Sequence, residues 1–157
     1  MRRHEIQYFL KDPAGQFYPP AGILSNVGAR LPVVVGLPPQ FEQAYKKAGL
    51  SIPEPQTATA VVDTGCTRTS VDKTIVTALG LLPTGSGTTC TAGGPAPTLL
   101  YAVSLFFPQL NAGIVIPQAM DCDLTGMGGL GVLLGCDLLK HFVMIYDGIA
   151  GRVTLIN

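Results

Sequence analysis

Apolar and polar positions in this chain change over at short intervals, and turn residues interrupt them too often for long helices. Leu31 to Gly36 is an apolar, β-branched run with Pro32 near its start, where a missing backbone donor is tolerated, and it predicts a first firm strand. Ala60-Val61-Val62 predicts a second, broken at once by Thr64-Gly65. Further strands are read at Gly87 to Thr91, Thr98 to Phe107 and Ala112 to Gln118. Val143 to Asp147 and Val153 to Ile156 flank a turn at residues 148–151, and a short strand is read at Gln7 to Leu10. Helical spacing is confined to brief segments. One runs from Phe41 to Ala48 ahead of Gly49, as a surface helix. Another runs from Val71 to Leu79 ahead of Gly80, with Ser70 as its cap, and a third begins at Asp137.

The chain has 157 residues, enough for one domain with a real core. Hydrophobic residues make up 47%, and 19 Gly with 13 Pro favour short strands and many turns. Formal net charge is zero and only 13% of residues are charged, so no basic face exists to attract nucleic acid. Between Thr74 and Met120 there is no Asp, Glu, Lys or Arg, but Pro95, Pro97, Pro108 and Pro117 leave no uninterrupted run long enough for a spanning helix, and no membrane partner is expected. The opening Met1-Arg2-Arg3-His4-Glu5 is followed by too few apolar residues for a signal-peptide core, so a cytoplasmic location is expected. Cys66, Cys90, Cys122 and Cys136 show no metal-site spacing and read as free thiols; Asp121-Cys122-Asp123 reads as a solvated turn, and His141 as structural. No metal or cofactor is expected.

The chemistry concentrates in Val62-Asp63-Thr64-Gly65. A carboxylate delivered by a buried strand into a turn is costly unless hydrogen-bonded, which makes it a turn cap or a reactive group. Downstream lies Gly131-Val132-Leu133-Leu134-Gly135-Cys136-Asp137-Leu138-Leu139, an apolar-apolar-Gly motif followed by a helical stretch. With these two elements in this order, the chain resembles the retropepsin-like aspartic proteases from about Leu31 to its end. The resemblance implies an all-β fold, a small closed-barrel-like acid protease fold with one or two short helices. Residues 31–157 would form that domain and residues 1–30 an N-terminal extension of unknown role.

The resemblance further implies an aspartic endopeptidase with Asp63, Thr64 and Gly65 as its catalytic loop, and Leu133, Leu134 and Gly135 as the support behind it. A flap over bound peptide would include Thr91, Ala92, Gly93 and Gly94, where a Gly-Gly pair otherwise reads as an ordinary hairpin tip. Peptide hydrolysis by carboxylates needs a base and an acid together, and two carboxylates about 3 Å apart supply both by sharing one proton. One Asp-Thr-Gly per chain therefore implies a homodimer, with one Asp63 from each copy, acting on peptide or protein substrates at mildly acidic pH. The uncharged segment points to apolar subsites.

Two departures from the retroviral pattern stand out. The ion pair formed there by an Arg after the second motif and an Asp after the first is replaced by Cys136 and Thr67, and Cys66 stands where Ala is usual. A non-catalytic domain of this type that binds peptides or assembles is the alternative reading. A monomeric β-barrel ligand binder, in which Asp63 only caps a turn, is a third.

Overall fold

The computed structural model describes residues 3–7, 15–91 and 94–157, with the side chain of Thr91 left aside. The chain runs β1 (Arg3–Gln7), α1 (Pro20–Val27), β2 (Arg30–Gly36), α2 (Pro39–Lys47), β3 (Gln56–Val62), β4 (Ser70–Asp72) and α3 (Lys73–Ala78). There follow β5 (Gly85–Thr91), β6 (Gly94–Phe107), a 3₁₀ turn at Pro108–Leu110, β7 (Ala112–Cys122), β8 (Leu130–Leu134), α4 (Cys136–Leu139), β9 (Val143–Asp147) and β10 (Arg152–Ile156).

Strands dominate, and the larger sheet has the order β2-β3-β8-β4-β7-β6-β5. An added antiparallel pairing of β2 with β6, through Val34↔Phe106 and Val35↔Leu105, closes six of these strands into a barrel. The fold class implied by the two motifs is therefore the one observed: a small closed barrel with a few short helices.

Alternation along the strands fills the barrel. Leu31, Val33 and Val35 of β2 are buried while Pro32 is exposed, and Val103, Leu105 and Phe107 of β6 point inward on the same period of two. The register shift between Tyr101 and Val103 breaks the fourteen-residue β6 into two parts. Its second half closes the barrel against β2 and β7, and its first half continues outward as a hairpin with β5. A bulge is what lets one strand change direction in this way.

A second sheet, β1-β10-β9, carries Ile6, Val153 and Leu155 into the same core. Helix α1 was not legible as a periodic element. It contributes Ile23 and Leu24, and its first turn lies on the β9–β10 turn so closely that a Cβ on Gly151 would sit 2.0 Å from Pro20 C. Gly151 also has φ +63, so both space and backbone require glycine there. Helix α2 buries no residue and is the surface helix its sequence predicts. The C-terminal hairpin forms within the chain, Val143↔Ile156 to Asp147↔Arg152. Among the described residues no helix is long and apolar enough to cross a membrane.

The expected cap of α3 is corrected. Ser70 does not cap α3: residues Ser70–Asp72 form β4, which pairs with β7 and β8, and the cap is Asp72, whose Oδ1 accepts from Thr74 N at 2.8 Å and from the Thr74 hydroxyl. The other oxygen, Oδ2, accepts from Leu124 N at 2.7 Å, tying β4 to the loop after β7. Burial works against the Asp72 charge, but the bonds from the Thr74 hydroxyl, Leu124 N–H and Thr74 N–H together outweigh it and hold its pKa below the usual carboxylate range. The ionised form thus stabilises the fold above the unfolded-state pKa. That contribution is lost as pH falls through the lowered folded-state value. Chemical denaturation followed between pH 5 and pH 2 should show a loss of stability that Asp72→Asn largely removes, the variant being less stable than the parent at neutral pH; an unchanged acid profile would refute this role.

Candidate active site

The site is built around β8. Strand β3 runs parallel to β8 on one side, with Val61↔Leu133 and Val62↔Leu134, and β4 runs antiparallel on the other, with Ser70↔Leu133. The segment 63–69 must therefore leave one neighbour of β8, arch over its end and return to the other. Val61 and Val62 favour the extended backbone up to the arch, and the Thr-Gly pair allows it to turn.

The arch and the β8 end are joined by main chain. Asp63 N donates to Leu134 O at 3.0 Å, Cys136 N to Cys66 O at 2.8 Å, and Asp137 N to Thr67 O at 3.1 Å. Gly135 lies directly under the returning segment: a Cβ there would sit 2.4 Å from Arg68 C and 2.7 Å from Thr69 N. The second motif thus needs glycine because two backbones cross. Leu134 is buried at 1% exposure, and Leu133 stands in register between Val61 and Ser70.

Asp63 itself is half-buried. Its Oδ1 accepts from Gly65 N at 2.9 Å, while Oδ2 accepts no hydrogen bond among the described residues. Thr64 and Gly65 are exposed, and the Cys136 thiol donates to Thr64 O at 3.5 Å. One carboxylate oxygen is therefore held by the loop and the other is left for a proton, a water or a partner.

A cleft of about 370 Å³ opens beside this loop, with Gly65, Cys66, Thr67 and Arg68 on one wall and Ser86 to Cys90 of β5 on the other; Thr98, Leu100 and Met120 complete it. Hydroxyl groups are prominent in it. The apolar lining suggested by the uncharged segment is limited to Leu100 and Met120 among the large side chains. Of the expected flap residues, Thr91 and Gly94 are paired at the end of the β5–β6 hairpin, and Ala92 and Gly93 lie outside the described residues. The hairpin residues that reach the cleft lie further from its tip, Ser86 to Cys90 of β5 and Thr98 and Leu100 of β6.

Asp137 was not singled out from sequence, yet it braces the arch. Its Oδ1 accepts from Thr69 N and the Thr69 hydroxyl, both at 2.8 Å, and from Leu138 N at 2.9 Å, and the same hydroxyl receives Gly135 N at 3.3 Å. The signal available was an acid just past the second motif, opposite a Thr-rich loop. Arg68, also unmarked from sequence, reaches the cleft and donates to Gln118 Oε1 at 2.7 Å.

All four cysteines are free. The Cys66 thiol donates to Arg68 O at 2.8 Å. Burial, with Asp72, Cys66, Asp121 and Asp123 nearby, pushes the Cys122 thiol up to about 12, so it remains protonated and serves as a small packing group. Asp121 is not a free turn acid: it ends β7 and accepts from the Thr98 hydroxyl at 2.8 Å and Leu99 N at 2.9 Å. Among the described residues no group of three His, Cys, Asp or Glu is arranged to hold a metal ion.

No family model and no curated protein sequence matches this chain. Among solved structures it is similar to a retropepsin-like aspartic protease from Rickettsia conorii, at 18% identity over 98% of this chain and 91% of that one, with a TM-score of 0.45.

The crossing at Gly135 gives a direct test of the scaffold. Gly135→Ala forces two backbones apart and should cost about 1–3 kcal/mol, as overpacking of a closed core does. Urea unfolding would read the loss, and a variant as stable as the parent would show that the arch does not rest on this contact.

Proposed function

We propose that this chain is an aspartic endopeptidase, active as a homodimer, in which two Asp63 carboxylates, one per copy, activate water and protonate the substrate. The observation that carries this reading is the state of Asp63: a half-buried carboxylate at the start of a rigid arch whose next residues, Gly65 to Arg68, line a cleft, with one oxygen fixed by Gly65 N–H and the other without a hydrogen bond among the described residues. A turn cap would account for Oδ1 alone. It gives no reason for an interlock of this density behind one short loop.

A single carboxylate cannot be acid and base at once, and no hydrogen bond among the described residues links a second carboxylate to Asp63. Two brought within about 3 Å share a proton, since ionising both at that distance is too costly. The ionised partner takes a proton from water as it attacks the peptide carbonyl, and the protonated partner delivers its own to the carbonyl oxygen. The exposed Thr64, whose hydroxyl has no partner among the described residues, is available to meet its counterpart across the two-fold axis. The edge of β9, unpaired among the described residues, supports association of copies, because Val143, Ile145 and Tyr146 on it are 63%, 51% and 58% exposed. A strand this apolar with an open edge is a pairing surface.

Two variants test the reading. Asp63→Asn should abolish cleavage of unstructured peptides while leaving the dimer and circular dichroism unchanged; retained cleavage would refute the mechanism, and peptide binding without cleavage by the parent would favour the non-catalytic alternative. Ile145→Lys places a charge on the apolar edge. Sedimentation should then show monomers, with activity lost in parallel, and a persistent active dimer would put the contact elsewhere.

A further inference from the structure

The cleft lined by the arch residues Gly65 to Arg68, which follow Asp63, contains among its described lining residues one charged side chain, and it is the cation Arg68. The rest of the wall is glycine, hydroxyl, thiol and apolar. Nothing neutralises this guanidinium: among the described residues it makes no ion pair, and the hydrogen bond it does make goes to the neutral amide oxygen of Gln118 at 2.7 Å. That bond holds the side chain in place without consuming its charge. The remaining donors of the guanidinium fork are left for a ligand.

The surroundings reinforce the sign. Thr67 and Arg68 are shared with an adjoining groove of about 430 Å³, where Lys140 adds a second cation. The acid in that groove, Asp137, is held on the arch through Oδ1 by Thr69 and Leu138 and makes no ion pair with Arg68 or Lys140 among the described residues, so neither cation is paired by it. Asp121, behind Thr98 at the far side of the cleft, is engaged by Thr98 and Leu99 and lies 4.0 Å from Lys73. A peptide in the cleft therefore meets one fixed positive charge on the wall; Arg68 is exposed in the empty cleft, and a bound peptide that displaces water from it would strengthen the attraction.

Resting on the reading of this cleft as a peptide-hydrolysing site, we propose that Arg68 determines its substrate class: peptides carrying an acidic side chain near the scissile bond, with basic side chains at that position excluded. The acid sits away from the bond itself, because Gly65, Cys66 and Thr67 separate Arg68 from Asp63 along the wall, and the paired Asp63 groups carry negative charge of their own. Two-fold symmetry places an Arg68 on each side of the paired carboxylates. Acidic residues are accordingly favoured on both the N-terminal and the C-terminal side of the cleaved bond.

The test uses quenched fluorogenic octapeptides in which one position at a time carries Glu, Gln or Lys, with the full-length protein and its Arg68→Glu variant. At the position facing Arg68, kcat/KM should fall in the order Glu, Gln, Lys by roughly tenfold overall, the scale of an attraction converted into a repulsion at an ion pair that the bound peptide shields from water. Arg68→Glu should reverse that order, and Arg68→Gln should flatten it. The same peptides are titrated by anisotropy against Asp63→Asn, in which binding is read without hydrolysis. An acidic preference in binding, reversed by adding Arg68→Glu, sustains the inference even if the parent cleaves nothing, in which case only the catalytic reading fails. Cleavage or binding indifferent to Glu and Lys at every position, or a preference that Arg68→Glu leaves unchanged, overturns it.

Discussion

Everything in this molecule that bears on chemistry depends on the crossing of residues 63–69 over the end of β8. Three main-chain hydrogen bonds close it, and the missing side chain at Gly135 lets Arg68 and Thr69 pass within contact distance. The barrel supplies the constraint that makes the crossing rigid. With β2 paired to both β3 and β6, β3 cannot slide relative to β8, so Val62 and Leu134 end level and Asp63 N meets Leu134 O. A carboxylate on such a support keeps one position at little entropic cost on binding, which is what a reacting group requires.

The interlock also shows how a charged brace is dispensed with. Where the retroviral pattern places an ion pair, Thr67 and Cys136 here contribute backbone: Thr67 O accepts from Asp137 N, and Cys136 N donates to Cys66 O. The carboxylate one residue further, Asp137, gathers two donors of Thr69 and the N–H of Leu138. A carboxylate satisfied by local donors needs no buried cation and escapes the desolvation cost of a full ion pair. The thiols fit the same pattern: Cys66 and Cys136 donate to the carbonyls of Arg68 and Thr64, and Cys122 stays protonated in the packing behind them.

What could be read from the sequence follows physical locality. Strands β2, β9 and β10 were legible because their β-branched runs are bounded by turns, and α2 because its spacing and its Gly49 are local signals. Asp63-Thr64-Gly65 and Leu133-Leu134-Gly135 were legible as a pair because each marks a place where the chain must turn or be crossed. Helix α1 was not, since the eight residues Pro20–Val27 offer only Ser25 and Asn26 against an otherwise apolar and glycine-containing stretch, and its stability comes from burying Ile23 and Leu24. Ser70–Asp72 has helical spacing with the residues after it, but pairing with both β7 and β8 makes it a strand. Asp137 and Arg68 were invisible for a related reason: their roles are set by partners 68 and 50 residues away in sequence.

The charge-free stretch from Thr74 to Met120 acquires a meaning once it is folded. It supplies β5, β6 and most of β7, so the hairpin wall of the cleft offers hydroxyls and backbone but no ionised group. Among the described residues β5 pairs only with β6, and on the function proposed above its other edge is where an extended peptide main chain would add, whatever its side chains. Main-chain pairing of this kind gives affinity without discrimination. Discrimination must then come from the few side chains that differ from the rest of the wall, and a lone cation opposite an uncharged hairpin is the strongest such difference the cleft contains.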